Sequence, residues 1–361
     1  MKHMSFLSKL FGRKESLGID LGSGSIKVVK LRENNHQWEL ENYGQVRLKE
    51  NRQIKKVLDL PDQQIADLIK ELLQKMRIKG REFFASLPVS AGFSTIITLP
   101  EMSREETAAA VMNEAEKYVP VSLDKVIIDW TVISSTSKEK EIKDDHLSIE
   151  SGKDEQGSTT PQIISEHKVD KSAVNNQDNN ANDHSEKNLE NGQEILLVSV
   201  LKEVAERYQN IFELSGLKII GWEEESFSLV RSLIGQDKKM CLLIDLGYSV
   251  INSLLVDNGL IKFTYSFNAQ KTEEIIEKIK QVVDLAKTKY HYQVDHIILT
   301  GGRLVSSMDW QDLFGKVFNQ IDFAIGDPFA QIIVSPAIKN DLRKISPIYA
   351  VAAGLAMKKE E

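Results

Sequence analysis

The chain has 361 residues, 41% of them hydrophobic, which is long enough for two domains and a sizeable core. No stretch approaches 18 consecutive apolar residues, which excludes a membrane-spanning helix, and a single cysteine excludes a disulfide framework. Residues 134–193 carry 7 Lys and 13 Asp or Glu, and therefore six of the seven net negative charges. The remainder is near neutral, so no basic face for nucleic acid is expected.

The N-terminal segment, residues 1–15, mixes basic and apolar residues. Over residues 5–14 the apolar residues share one side of a helix, which is typical of a short amphipathic helix that lies on an anionic membrane. The alternative is a terminal turn packed on its own domain, which so short a segment favours. The segment lacks the apolar core of a signal peptide. The single cysteine, Cys241, lies in a predicted buried strand, so we expect a reducing cytosol and a cysteine that serves only as a core residue.

Residues 17–31, LGIDLGSGSIKVVKL, predict a strand, a glycine turn and an antiparallel return strand. Glycines let the turn approach a ligand closely, and successive amides and serine hydroxyls form a concave anion site. The turn residues concerned are Gly22, Ser23, Gly24 and Ser25. Asp20, at the end of the strand, is placed to serve a metal that accompanies phosphate. For this pattern alone, ordinary turn chemistry is the alternative.

The next part of the chain reads as ordinary core structure. It predicts a helix over 62–76, strands over 82–87 and 93–99, and a helix from a capping box at Ser103 to just before Pro120. A strand over 126–133 and its partner over 194–201 are separated by 134–193, which contains no aromatic residue. We expect that stretch to be disordered, because it cannot bury enough apolar surface to offset its chain entropy.

A helix over 202–215 and a strand over 217–221 lead to a second helix, predicted over 222–233. This crossing helix begins with three glutamates, Glu223, Glu224 and Glu225. One interpretation is an acidic first turn favoured by the helix dipole. The other is a carboxylate carried toward a nucleotide-bound water, for which Glu225 is the better candidate. Both interpretations stay open at this point.

The strand-turn-strand unit occurs a second time in residues 241–255, CLLIDLGYSVINSLL. Its turn again follows Asp-Leu-Gly, here with Asp245 and Gly247. An internal repeat of one supersecondary unit predicts two similar domains that face each other. Two Asp-Leu-Gly turns would then hold one phosphate chain from opposite sides.

A third element, residues 294–303 (VDHIILTGGR), is a buried strand that ends in a glycine pair. Such a pair lets backbone lie against a flat ring or a ribose without a Cβ clash. Helices are predicted over 272–290 and 310–318, a strand over 321–325, and a last helix from 346. The two turns and the glycine pair, in this order, resemble the actin-like ATPase superfamily. The resemblance implies an α/β, actin-like (ribonuclease H-like) two-domain ATPase fold, in which the last helix faces the crossing helix.

The middle of the chain resembles one family more specifically, the type IV pilus assembly protein PilM, which is related to the cell-division protein FtsA. The resemblance is carried by residues 83–130 with their LPEM and EKYVPVSLDKV runs, by 194–233, by GDPFAQI and by FLSKLFGRK. It implies a four-subdomain cytoplasmic protein, peripheral to the inner membrane, that binds ATP. It also implies a partner, the short cytoplasmic N-terminal peptide of the inner-membrane protein PilN.

Carried over residue by residue, the resemblance implies phosphate binding by Gly22, Ser23, Gly24, Ser25, Lys27, Gly247, Tyr248 and Ser249. It implies adenosine binding by Gly301, Gly302 and Arg303, a Mg²⁺ site at Asp20 and Asp245, and orientation of water by Glu225. Tyr248 is bulky where the family tends to be small, and Asn252 replaces a common Thr. We therefore expect a slow ATPase at most.

The expected domains are a first actin-like subdomain over 16–90, an inserted PilM/FtsA-type subdomain over 91–221 and a second actin-like domain over 241–345. Residues 222–240 and 346–358 are expected to return to the first subdomain. Three alternatives stay open: a nucleotide-free scaffold of the same fold, an FtsA-like division protein, and a sugar or acetate kinase. Membrane contact is expected to be indirect, and self-association stays open.

Overall fold

The computed structural model describes residues 15–48, 56–119, 121–135, 192–235, 237, 239–305 and 309–359. The chain divides into two compact units. The smaller unit is Ala91–Val204, and the larger unit is Met1–Ser90 with Ala205–Glu361. The predicted N-terminal segment and nearly all of the stretch 134–193 lie outside the described residues, so the expectations for them stay predictions.

The described elements alternate between strands and helices. The strands are β1 (Glu15–Leu21), β2 (Ser25–Asn34), β3 (Gln37–Arg47), β4 (Glu82–Leu87), β5 (Gly92–Pro100), β6 (Val126–Ser135), β7 (Gly192–Leu201), β8 (Lys218–Glu224), β9 (Cys241–Leu246), β10 (Val250–Asp257), β11 (Leu260–Asn268), β12 (His296–Thr300) and β13 (Asp322–Ile325). The helices are α1 (Asp62–Lys75), α2 (Arg104–Tyr118), α3 (Lys202–Leu214), α4 (Glu225–Leu233), α5 (Thr272–Thr288), α6 (Trp310–Val317), α7 (Pro336–Ile345) and α8 (Ala350–Met357).

The first sheet of the larger unit has the strand order β3-β2-β1-β4-β8. β1, β2 and β3 form an antiparallel meander, and β4 and β8 run parallel to β1. α3 packs on this sheet through Phe212, whose ring centroid lies 4.7 Å from that of Phe83 in β4. Strand β1 is buried almost throughout, as expected for a strand covered on both faces.

The second sheet has the order β11-β10-β9-β12-β13, which repeats the arrangement of the first. β9 is antiparallel to β10 and parallel to β12, as β1 is to β2 and β4. Its core lies under α5 and α6, where Ile275, Ile279 and Phe314 are fully buried. The internal repeat that the two Asp-Leu-Gly hairpins predict is therefore confirmed.

Helices α4 and α8 pack closely against each other because small residues line their contact. A Cβ atom on Gly354 in α8 would lie 2.0 Å from the carbonyl oxygen of Ser228 in α4. Strand β1 approaches α8 as closely, since a Cβ atom on Gly18 would lie 2.2 Å from the carbonyl oxygen of Ala352. Apolar side chains from both sheets and both helices share one core cluster that includes Phe84, Leu229, Leu243, Leu254, Ala350 and Leu355. The predicted facing of the crossing helix and the last helix is confirmed.

The smaller unit has an antiparallel three-stranded sheet in the order β5-β7-β6. Helix α2 packs on one face of this sheet through Val111 and Ala115. The helix begins with the predicted capping box: Ser103 Oγ accepts from the Glu106 amide at 3.3 Å, and Glu106 Oε2 accepts from the Ser103 amide at 2.9 Å. This box satisfies two amides at the start of the helix that would otherwise lack partners.

Several predicted boundaries are wrong. The smaller unit ends at Val204 and not at 221, because α3 packs on the first sheet. Residues 222–224 continue β8 in register with β4, so the crossing helix begins at Glu225. Helix α7 was not predicted.

Candidate functional site

A cleft of about 750 Å³ opens in the larger unit where the turns of the two hairpins meet. It is lined by every residue that the sequence singled out as a site residue: Asp20, Gly22, Ser23, Gly24, Ser25, Lys27, Glu225, Asp245, Gly247, Tyr248, Ser249, Gly301, Gly302 and Arg303. The repeated topology explains this convergence, because each hairpin turn lies at the same end of its sheet.

The first turn brings a carboxylate and an ammonium together. Asp20 in β1 and Lys27 in β2 are directly opposite in the antiparallel register, so their side chains share a face. Lys27 Nζ donates to Asp20 Oδ2 at 2.6 Å, and both side chains are largely buried. A Cβ atom on Gly22 would lie 2.8 Å from Lys27 Nζ. Glycine at this position therefore leaves room for the Lys27 ammonium beside the turn.

The second turn repeats the carboxylate but not the ammonium. Asp245 in β9 lies opposite Asn252 in β10, where the first hairpin has Lys27. Gly301, which has a φ of +103°, lies beside Asp245: a Cβ atom added to it would lie 2.4 Å from Asp245 Oδ1. The glycine at the end of β12 thus allows the backbone to approach the Asp245 carboxylate.

The cleft gathers three carboxylates around one ammonium, and the pKa values of Asp245, Glu225 and Lys27 shift. Burial raises the pKa of the Asp245 carboxyl to about 6, against the opposing effect of Lys27. Burial, followed by the charges of Asp20 and Asp245, raises the pKa of the Glu225 carboxyl well above its usual range. Burial tends to lower the pKa of the Lys27 ammonium. The neighbouring carboxylates, Asp20 foremost, outweigh burial, so this pKa is raised overall. The ammonium is therefore retained, and the site has spare negative charge.

Of the three consecutive glutamates, only Glu225 faces the cleft. Its Oε2 accepts from the amide of Val89 at 3.4 Å. Glu223 instead accepts from Arg231 at 2.6 and 2.7 Å and from Lys358 at 3.0 Å, which ties α4 to the end of α8. Of the two open interpretations of the crossing helix, the cleft-facing position favours a functional carboxylate at Glu225 and a structural one at Glu223.

Arg303 lines the cleft, but its guanidinium is engaged with the backbone. Nε donates to the Gly247 carbonyl at 2.9 Å, and Nη2 donates to the carbonyls of Tyr248 and Ala269, both at 2.8 Å. A further bond from Nη1 reaches the carbonyl of Gln270 at 3.3 Å. These bonds join the second turn to the end of β11, so Arg303 shapes the cleft wall.

The two turns touch each other through Tyr248. A Cβ atom on Gly24 would lie 2.8 Å from both Cβ and Cγ of Tyr248. Glycine in the first turn therefore makes room for the bulky residue of the second. The departure that the sequence shows at Tyr248 is accommodated by a residue in the opposite half of the fold.

Several residues that line the cleft were not identified from the sequence. The buried Tyr208 of α3 donates to the Leu21 carbonyl at 3.3 Å, and the cations Arg47 and Lys56 lie at the rim. Asn252 was noted as a departure, and its side chain accepts from Ser266 at 2.8 Å. No local motif marks these residues, because β-strand register and helix packing bring them to the cleft from distant parts of the chain.

The donor set at Asp20 and Asp245 fits a Mg²⁺ ion. Two carboxylates flank the turns, and the excess negative charge of the cleft is of the kind that a divalent cation neutralises. Among the described residues, no group of three His, Cys, Asp or Glu is arranged to hold a metal by itself. Mg²⁺ usually takes one or two carboxylates and completes its shell with phosphate oxygens and water.

Comparison with known proteins identifies the family that the chain resembles. The family model described as "Type IV pilus assembly protein PilM" matches residues 18–174. The predicted resemblance to PilM is confirmed. No curated protein sequence matches the chain. None of the described helices is long and apolar enough to cross a membrane.

A solved structure shares the fold, and two others match it more weakly. A chain from the "PilM-PilN type IV pilus biogenesis complex" matches with a TM-score of 0.69 at 16% identity, over 96% of this chain and 98% of that one. The ethanolamine utilization protein EutJ from Carboxydothermus hydrogenoformans matches with a TM-score of 0.46 at 10% identity, over 95% and 89%. A Bacteroides thetaiotaomicron protein with an actin-like ATPase fold and unknown function matches at 0.44 and 9%, over 96% and 97%. The predicted actin-like fold is confirmed.

Proposed function

We propose that this protein is an ATP-binding, actin-like component of a type IV pilus assembly platform. The observation that carries nucleotide binding is the convergence of two Asp-Leu-Gly turns and a Gly-Gly turn on one cleft. The amides and hydroxyls of the turns over 22–25 and 247–249 bind the phosphates, and the Lys27 ammonium adds a positive charge beside them. Gly301 and Gly302 lie beside the adenosine in this proposal, and the space next to Gly302 is open, since a Cβ on Gly302 would meet nothing within 4 Å.

Asp20 and Asp245 hold Mg²⁺ in this proposal, and the ion neutralises phosphate charge when bound. Glu225 orients a water molecule at the outer phosphate. Burial and the neighbouring carboxylates raise the pKa of its carboxyl well above the usual range, which favours the protonated form, and that form cannot accept a proton from water. We therefore expect hydrolysis to be slow, and ATP to serve mainly as a ligand that stabilises one arrangement of the two halves.

The partner in this proposal is the cytoplasmic N-terminal peptide of a PilN-like inner-membrane protein. The PilM family match and the fold shared with a chain of a PilM-PilN complex support it. The smaller unit exposes apolar side chains suited to anchoring a peptide: Met112, Tyr118, Val121 and Val132. The protein would then be cytoplasmic and peripheral to the inner membrane, held there through its partner.

Titration calorimetry with ATP and Mg²⁺ tests the proposal, with and without a peptide of about twenty residues from the N-terminus of the partner. We expect ATP to bind in the presence of Mg²⁺ and the peptide to bind the parent protein. A Met112→Ser, Tyr118→Ser variant should keep ATP binding and lose peptide affinity. Peptide binding that is unchanged in this variant would place the peptide site elsewhere.

The second candidate is a nucleotide-free scaffold with the same fold and partner. Contact between Tyr248 and Gly24 favours it, because a tyrosine at the meeting point of the turns takes space next to the phosphate position. The same titration separates the two functions. Peptide binding without ATP binding would support the scaffold.

A further inference from the structure

Two cations flank the first turn through direct backbone links. Arg47, at the end of β3, is the register partner of Ser25 in β2, so its side chain lies on the same face as the Ser25 hydroxyl. On the other side, the amide of Val57 donates to the carbonyl of Ser23 at 2.8 Å, which places Lys56 next to the turn. The Lys56 amide donates to Asp59 Oδ2 at 2.7 Å, which holds this segment in its bent form.

Both side chains are exposed and line the same cleft as the two Asp-Leu-Gly turns. The other two cations of the cleft are already engaged: Lys27 with Asp20, and Arg303 with four backbone carbonyls. Within the described part of the chain, neither Arg47 nor Lys56 makes a side-chain hydrogen bond or ion pair. They are therefore available to a ligand.

The charges of the cleft explain why these cations matter. Its interior holds the carboxylates of Asp20 and Asp245 against the single ammonium of Lys27, so a polyphosphate entering it meets excess negative charge. Two unengaged cations beside the first turn are placed to offset it.

We infer that Arg47 and Lys56 form a phosphate clamp that makes the cleft selective for nucleoside di- and triphosphates over monophosphates. The inference rests on the proposed ATP binding and adds the residues that set phosphate-number selectivity. In this arrangement the turn amides bind the phosphate chain from inside, and the clamp binds it from the rim. Binding should weaken with salt, since both clamp residues are exposed.

Calorimetry with ATP and with AMP, each with Mg²⁺, tests the clamp in four variants: Arg47→Gln, Lys56→Gln, the double variant and Lys56→Arg. Lys79→Gln is the matched control, because Lys79 is exposed and does not line the cleft. Each single Gln variant should weaken ATP binding about three- to tenfold, and the double variant more. AMP affinity should change less than about twofold, and Lys56→Arg should retain ATP affinity.

Two results would overturn the inference while leaving ATP binding intact. One is ATP affinity in the double variant equal to that of Lys79→Gln. The other is an equal loss for ATP and AMP, which would mean that the substitutions disturb the fold or the nucleoside site. If the parent protein binds no ATP, the proposed function fails, and the clamp fails with it.

Discussion

Adjacent buried glutamates in this fold should respond to pH in opposite directions. Glu223 accepts hydrogen bonds from Arg231, Lys358 and Ser228. Burial alone would raise the pKa of its carboxyl, but the two cations lower it from 4.5 to about 2. Such a shift corresponds to about 3 kcal/mol of folding free energy. That stability is present above pH 4.5 and is lost as the pH falls toward 2.

The substitution Glu223→Gln should therefore lower the free energy of unfolding at pH 7 by about 3 kcal/mol. It removes the carboxylate but leaves Arg231 and Lys358 in place, with side chains 25% and 13% exposed. Urea-induced unfolding followed by circular dichroism measures the loss. A change smaller than about 0.5 kcal/mol would refute the assignment of Glu223 as the residue that ties α4 to α8.

Glu224→Gln is the matched control, one residue away. Glu224 Oε1 accepts from Ser226 at 2.8 Å, whereas Oε2 has no partner among the described residues. Burial raises the pKa of its carboxyl to about 7, so in the parent protein stability is lost as the pH rises from 4.5 through 7. The Glu224→Gln substitution should abolish this loss, which amounts to about 2–3 kcal/mol in the free energy of unfolding between pH 5 and 8. If Glu224→Gln loses stability with rising pH just as the parent does, the reasoning is wrong.

Other predictions concern the turns, the cysteine and the smaller unit. Gly24→Ala should weaken ATP binding because the added Cβ forces Tyr248 away from the first turn. The double variant Gly24→Ala, Tyr248→Ala should regain ATP affinity, and calorimetry on the single and double variants measures the difference. Cys241 should not react with a thiol reagent at pH 8 until urea is added, because burial raises the pKa of its thiol to about 12. Replacing residues 136–191 with a short Gly-Ser linker should shift the melting temperature by only a few degrees. Ser135 at the end of β6 and Gln193 near the start of β7 are register partners, and loop length costs only about 0.6 kcal/mol per doubling. A large loss of melting temperature would contradict this.

The sequence predicted much of the fold because its signals are local. Glycine turns after buried strands marked both hairpins, and the Ser103 box marked the start of α2. The prediction failed where tertiary contacts decide the structure. Residues 222–224 look like an acidic helix start, but pairing with β4 keeps them in β8. The α3 helix reads as part of the insert, yet it packs on the first sheet through Phe212.

The candidate site shows the same division between local and distant signals. Asp20 and Asp245 stand beside glycine turns, so their place in the cleft was predictable. The backbone contacts of Arg303, and the positions of Arg47 and Lys56 beside the first turn, depend on register and on turns between distant segments. In sequence Arg47 and Lys56 look like ordinary surface charge.

The central claim is that both Asp-Leu-Gly turns hold one metal-bound nucleotide, and Asp245→Asn tests it most directly. Calorimetry should compare ATP binding with Mg²⁺ and with EDTA, using Asp257→Asn at the end of β10 as the control. We expect Asp245→Asn to lose the Mg²⁺-dependent part of the affinity, about tenfold or more, while its melting temperature stays near that of the parent. The control should bind like the parent. An Asp245→Asn variant that binds ATP and Mg²⁺ as tightly as the parent would contradict the account, because the second turn would then take no part in the site.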